Sequence, residues 1–128
     1  IIFALLVILG TTNAVNLTDG IDGLSTGVTT LIIATLTIIS IMWNIKETTI
    51  FGSIIMGTSL GFLLFNIYPA HVFMGDTGSL LLGGAIAGIT LYLKIPLLLL
   101  IIAIIPIAET LSVILQVLYY KKTKKRFF

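Results

Sequence analysis

Four apolar stretches, residues 24–43, 50–65, 79–93 and 95–120, make up most of this 128-residue chain, and a shorter one opens it at 1–9. A helix needs about 20 apolar residues to cross the roughly 30 Å hydrocarbon layer of a bilayer. The stretches at 24–43 and 95–120 reach that length, and the other two approach it with flanking residues. Charged residues are 9% of the chain against 58% hydrophobic, where a soluble domain carries about a quarter charged. So few polar side chains cannot cover this much apolar surface in water, which excludes a water-soluble fold. Lipid-exposed strands are excluded too, because the alternating polar pattern of a barrel is missing. The chain therefore reads as all-α, a polytopic transmembrane bundle over 1–128 with one partial and four complete helices. The partial helix is the opening run, which has only nine apolar residues before Gly10. It reads as cut by the start of the chain, so a piece of a larger protein is expected. No cysteine is present, which leaves no disulfide framework and no thiolate metal site.

Counting crossings places the loops. Loops 10–23 and 66–78 and the tail 121–128 fall on one side, and residues 44–49 and Lys94 on the other. The tail carries Lys121, Lys122, Lys124, Lys125 and Arg126, five of the seven basic residues. Short segments rich in Lys and Arg stay cytoplasmic. Asp19, Asp22 and Asp76 are therefore expected together on the cytoplasmic face, although they are far apart in sequence. The tail itself reads as a solvated flank suited to an anionic lipid surface. Gly23–Gly27, Gly57–Gly61 and Gly84–Gly88 have the small-xxx-small spacing of close helix contacts, and read as ordinary tight packing.

Two motifs concentrate the polar residues. NAVNLTDGIDGL (13–24) holds Asn13, Asn16, Thr18, Asp19 and Asp22, and MGDTGSL (74–80) holds Asp76. One reading is helix capping, with Asp19 as N-cap, Asp22 three residues on, and Asp76 capping a helix that begins near Ser79. The other is a binding site. Carboxylates, amides and hydroxyls suit Mg²⁺, which takes one or two carboxylates plus phosphate oxygens, and glycine-flanked helix starts present N–H groups to anions. His71 reads as a surface residue. Phe73 reads as an interfacial anchor, with stacking on a nucleobase as the alternative. Glu109 lies deep in the last stretch, where an ionisable group is a functional candidate. A backbone group or water freed by a kink at Pro106 is an equally good reason for it.

NAVNLTDGIDGL, NIYPAHVFMGDTGSLLLGG and ETLSVILQV, in this order and spacing, resemble the polyprenyl-phosphate N-acetylhexosamine-1-phosphate transferases over essentially the whole chain. The NLTDG form, the VFMGDTGS loop and the ETLSVILQV helix resemble the branch that moves phospho-MurNAc-pentapeptide from UDP-MurNAc-pentapeptide to undecaprenyl phosphate. That resemblance implies a ten-helix bacterial inner-membrane enzyme of which this chain is the middle part. It would depend on Mg²⁺, release UMP and make lipid I in peptidoglycan synthesis. By motif position Asp76 would be the metal ligand and Asp19 the second essential acid. Asn13, Asn16, Asp22, Asn66, Phe73 and Gly75 would contact substrate, with Phe73 stacking on uracil. The lipid bilayer and a homodimer are expected partners, and nucleic acid is not. The paired aspartates expected upstream and the histidine triplet expected downstream are absent, so the chain alone is not expected to turn over. Direct attack and an aspartyl intermediate both stay open. A sibling transferase using UDP-N-acetylglucosamine, a secondary transporter, and a non-catalytic fragment are the competing readings.

Overall fold

A computed structural model describes residues 1–123. The elements in order are α1 (Ile2–Thr18), α2 (Leu24–Met42), α3 (Lys46–Asn66), α4 (Gly75–Tyr92), a 3₁₀ turn (Pro96–Leu98), α5 (Leu99–Ile102) and α6 (Ile104–Thr123). No strand occurs among the described residues. Lys124, Lys125 and Arg126 of the expected basic tail lie outside them, while Lys121 and Lys122 close α6 exposed.

The helices pack as a row. α3 lies against α2, α2 also touches α4, α4 lies against α1, and α1 meets α6. Where α2, α4 and α1 meet, Val15, Ile32, Ile33, Leu36, Leu82, Ile86 and Ile89 form the core, closed by Leu99 of α5 and by Ala103 just after it. Nearly every other surface shows Ile, Leu and Phe outward, as expected of a bundle whose solvent is lipid. By length and composition α2, α3 and α6 can cross a membrane. α4 is the more polar helix because it gives its first turns to Gly75, Asp76, Thr77, Gly78 and Ser79.

The first boundary differs from expectation. Residues 10–18 are helical, so α1 continues through most of the anticipated loop and only 19–23 connect it to α2. The polar side chains allow this by bonding their own helix: Thr12 Oγ1 donates to Ile8 O at 2.8 Å, Asn13 Nδ2 to Leu9 O at 2.7 Å and Thr18 Oγ1 to Ala14 O at 2.8 Å.

The last stretch is not one kinked helix. It breaks at Ala103, and Pro106 sits in the first turn of α6, where a missing N–H leaves no bond unmade. Thr110 donates to Pro106 O at 2.8 Å, and Ser112 accepts from Gln116 at 3.1 Å. These hydroxyls are engaged within α6 and do not bond half-buried Glu109.

Most members of the small-xxx-small pairs are not packing points. Gly27, Gly57, Gly61 and Gly88 have open space where a side chain would begin. The tightest approaches between helices are Gly52 against Thr37, which joins α3 to α2, and Gly83 against the backbone of Thr12, which joins α4 to α1.

Candidate functional site

The end of α1, the 19–23 turn, the end of α3, loop 67–74 and the start of α4 come together at one end of the bundle. Neither acid of the first motif caps α2. Asp19 closes α1 at its C-terminus, and the residue before α2 is Gly23, with φ 74° and no side-chain cap bond. Gly23 is required twice over. Its left-handed backbone disfavours a side chain, and a Cβ there would stand 3.3 Å from Ile67 Cα. Asp76 caps nothing either. α4 begins at Gly75, whose φ is 67°, and Asp76 stands in its first turn.

The acids bind across the bundle instead. Asn16 Nδ2 donates to Asp76 Oδ1 at 3.2 Å and to Ser79 Oγ at 2.9 Å, tying the last turn of α1 to the first turns of α4. Ser79 is fully buried and is held by contacts to Gly75 O and Asp76 O, both 3.2 Å. Asp19 follows Asn16 by three residues, and its carboxyl is raised above the usual carboxylate range. Burial is the main cause, and the negative charge of Asp76 adds to it. Two carboxylates that repel each other, beside an oriented amide and hydroxyl, form a donor set matched to a divalent cation that takes its remaining ligands from phosphate or water. Among the described residues no group of three or more His, Cys, Asp or Glu is placed to hold a metal.

The second half of the site is loop 67–74. Asp22 Oδ2 accepts from the Ala70 N–H at 3.1 Å, and the N–H groups of His71 and Val72 donate to Phe65 O at 2.9 and 3.2 Å. Asn66, 3% exposed, donates from Nδ2 to Val72 O at 3.0 Å and accepts at Oδ1 from Thr26 Oγ1 at 2.7 Å. The loop thus pinned presents Phe73, which is 73% exposed. Exposed His71 contributes its backbone to the loop.

Of the residues singled out from sequence, Asn16, Asp19 and Asp76 converge directly, with Gly75 beside Asp76. Asp22, Asn66 and Phe73 form the adjoining loop anchor. Asn13 does not join them: exposed on α1, it bonds back to Leu9 O. The sequence reading missed Ser79 and Thr26. Ser79 was in view within GDTGS but served there only to mark a helix start. Nothing local distinguishes Thr26 from the other hydroxyls of α2.

Fold and site together define a multi-pass membrane protein with a paired-carboxylate site at one end of its bundle. Residues 1–94 match the family described as Glycosyl transferase family 4, and the chain belongs to that family. It is similar to the phospho-N-acetylmuramoyl-pentapeptide-transferase of Clostridium acetobutylicum, at 55% identity over 91% of this chain and 37% of the relative. The proteins of the same name from Clostridium perfringens and Caldanaerobacter subterraneus are 55% and 49% identical, each over 98% of this chain and 40% of the relative. The chain thus spans about two fifths of the length of the curated relatives it matches.

Proposed function

We propose that this segment forms the acidic wall and the nucleotide-facing loop of a transferase that moves phospho-MurNAc-pentapeptide from UDP-MurNAc-pentapeptide to undecaprenyl phosphate, giving lipid I and UMP. The observation that carries this reading is the Asn16 tie, which brings Asp76 beside Asp19 in a chain similar to transferases of that name. In the reaction the phosphoanhydride bond of UDP breaks, UMP leaves, and a lipid phosphate oxygen forms the new bond to phosphorus. Asp76 and Asp19 would hold Mg²⁺, and the ion would neutralise the diphosphate leaving group. Asn16 fixes the Asp76 carboxylate, and Ser79 fixes Asn16. Asp22 and Asn66 hold loop 67–74 so that Phe73 meets the uracil ring. An apolar cavity of about 330 Å³ between α1 and the α5–α6 segment, lined in part by Leu6, Val7, Leu99 and Ala103, suits an isoprenoid chain. The site faces the cytoplasm on this reading, since lysines cluster at the end of α6 and the nucleotide substrate is water-soluble.

The test is Asp76→Asn in a full-length transferase carrying this sequence. Asparagine keeps an oxygen that accepts from Asn16, so the tie and the fold persist, while the charge is lost. Lipid I formation is expected to fall by at least about 100-fold, the scale of losing one electrostatic contact to the reacting group. Near-normal formation of lipid I would reduce Asp76 to a structural tie and remove the proposal's centre. Offering UDP-N-acetylglucosamine beside UDP-MurNAc-pentapeptide separates the sibling activity, which predicts transfer from the former.

A further inference from the structure

Most hydroxyls of α2 close on their own helix, while Ser25 and Thr26 at its start reach off it, Ser25 donating to Val15 O of α1 at 3.4 Å. Thr29, Thr30, Thr37 and Ser40 each donate to the carbonyl four residues back, at 2.6 to 2.9 Å, which is how hydroxyls are satisfied on helices in apolar surroundings. Thr26, fully buried in the first turn, instead reaches across to α3 and donates to Asn66 Oδ1 at 2.7 Å. Asn66 carries the connection onward, donating from Nδ2 to the carbonyl of Val72, the residue before Phe73.

We propose that Thr26 is a positioning residue for nucleotide recognition: through Asn66 it holds the main chain at Val72 and so sets where the Phe73 ring stands. The inference rests on the assignment of Phe73 to uracil made above. A side-chain amide fits its site in two orientations of nearly equal shape, and only one of them aims Nδ2 at Val72 O. A hydroxyl donor at Oδ1 selects that orientation. Without it, the buried Oδ1 has lost its donor, and the flipped amide would set its oxygen against a carbonyl. The bonds from Ala70, His71 and Val72 N–H groups still hold the loop, so losing Thr26 shifts the ring and does not free the segment. The consequence is a graded loss of substrate affinity with the chemistry intact.

The experiment compares Thr26→Val, which keeps the shape and removes the hydroxyl, with Thr26→Ser, which keeps the hydroxyl, in a full-length transferase carrying this sequence. The KM for UDP-MurNAc-pentapeptide is expected to rise about threefold to tenfold in Thr26→Val, the scale of one neutral hydrogen bond. The value of kcat should stay within about twofold, and deuterium exchange at the amides of 67–74 should quicken. Thr26→Ser should restore both. Where Thr26→Val fails to fold, Asn66→Asp removes the Nδ2 donor at constant shape and should raise KM and loop exchange alike. An unchanged KM in the folded variant, a fall in kcat at constant KM, or failure of serine to restore would each overturn the proposal. Phe73→Ala run in parallel separates the two layers. Unaltered KM there with quickened loop exchange in Thr26→Val refutes the uracil assignment, whereas raised KM there with unaltered loop exchange refutes the Thr26 tether.

Discussion

Gly83→Ala is the substitution whose effect the geometry specifies most closely. A Cβ at Gly83 would stand 2.7 Å from Thr12 Cα, 3.1 Å from Thr11 O and 3.2 Å from Thr12 N. All three are main-chain atoms of α1, so no rotamer change relieves the clash. Ordinary contact begins at 3.4 Å, and the two helices must therefore part by about 0.7 Å along the closest line. One turn further along the same seam lie the Asn16 bonds to Ser79 and Asp76, at 2.9 and 3.2 Å. A parallel opening carries them to about 3.6 and 3.9 Å, outside hydrogen-bonding range. Gly84 is the matched control, because a Cβ there meets only Thr12 Cγ2 at 4.0 Å. Both alanines gain the same helix propensity, about 1 kcal/mol, which cancels in the comparison. Overpacking leaves Gly83→Ala less stable than Gly84→Ala by about 1–3 kcal/mol. The difference is read from unfolding midpoints of the two variants titrated with SDS in mixed micelles. Transfer activity should fall in Gly83→Ala and hold in Gly84→Ala. Replacing Thr12 by glycine should not rescue the loss, since the clash is with backbone. Equal midpoints for the two alanines, or rescue at Thr12, would refute the claim that this contact sets the α1–α4 seam.

The raised Asp19 carboxyl predicts a trade between stability and activity. The folded state holds that proton more tightly than the unfolded one, so the stabilisation is full below the unfolded value, near pH 4, and fades as pH rises through the folded value. Asp19→Asn should flatten this dependence, leave the protein more stable than wild type at neutral pH, and lower transfer by at least about 100-fold. An unaltered stability–pH profile would show that Asp19 is not the strained acid. Phe73→Ala should raise the KM for the UDP substrate about tenfold to hundredfold, the worth of one base–aromatic stack, with yield in the membrane unchanged. Lowered yield at constant KM would instead make Phe73 an interfacial anchor. Glu109→Gln should keep most activity, because Glu109 lies on α6, whereas the bonds around Asp76 come from α1 and α4; a folded variant that binds substrate without turning it over would move Glu109 into the catalytic set.

The helical bundle was legible because apolar runs of this length have few physical options, and the convergence of Asp19 and Asp76 is the one that counting crossings predicts. What stayed hidden is the direction in which polar side chains turn. Asn13, Thr12 and Thr18 look like loop residues in sequence, yet each bonds a carbonyl of its own helix, and α1 runs on through them. TDGIDG has the spacing of a capping pair, but spacing cannot tell a helix end from the next helix's start. Here Asp19 ends one helix and glycine begins the other.

The glycines carry the same lesson further. Four members of the small-xxx-small pairs face open space, while Gly83, outside any of those pairs, meets the backbone of another helix. A repeat records what one helix could offer a neighbour, and contact depends on the register of both. In this bundle that register shows in side chains that find partners off their own helix: Asn16 on Asp76 and Ser79, Asp22 on Ala70, Ser25 on Val15, and Thr26 on Asn66. Every one of these lies at the acidic end. Elsewhere buried hydroxyls of α2 and Thr90 of α4 close on their own helices, and apolar packing joins neighbours. Apolar contacts tolerate small slips between helices, whereas a hydrogen bond is lost within a few tenths of an ångström. Confining the directional bonds to one end therefore places that precision where two repelling carboxylates must be held together.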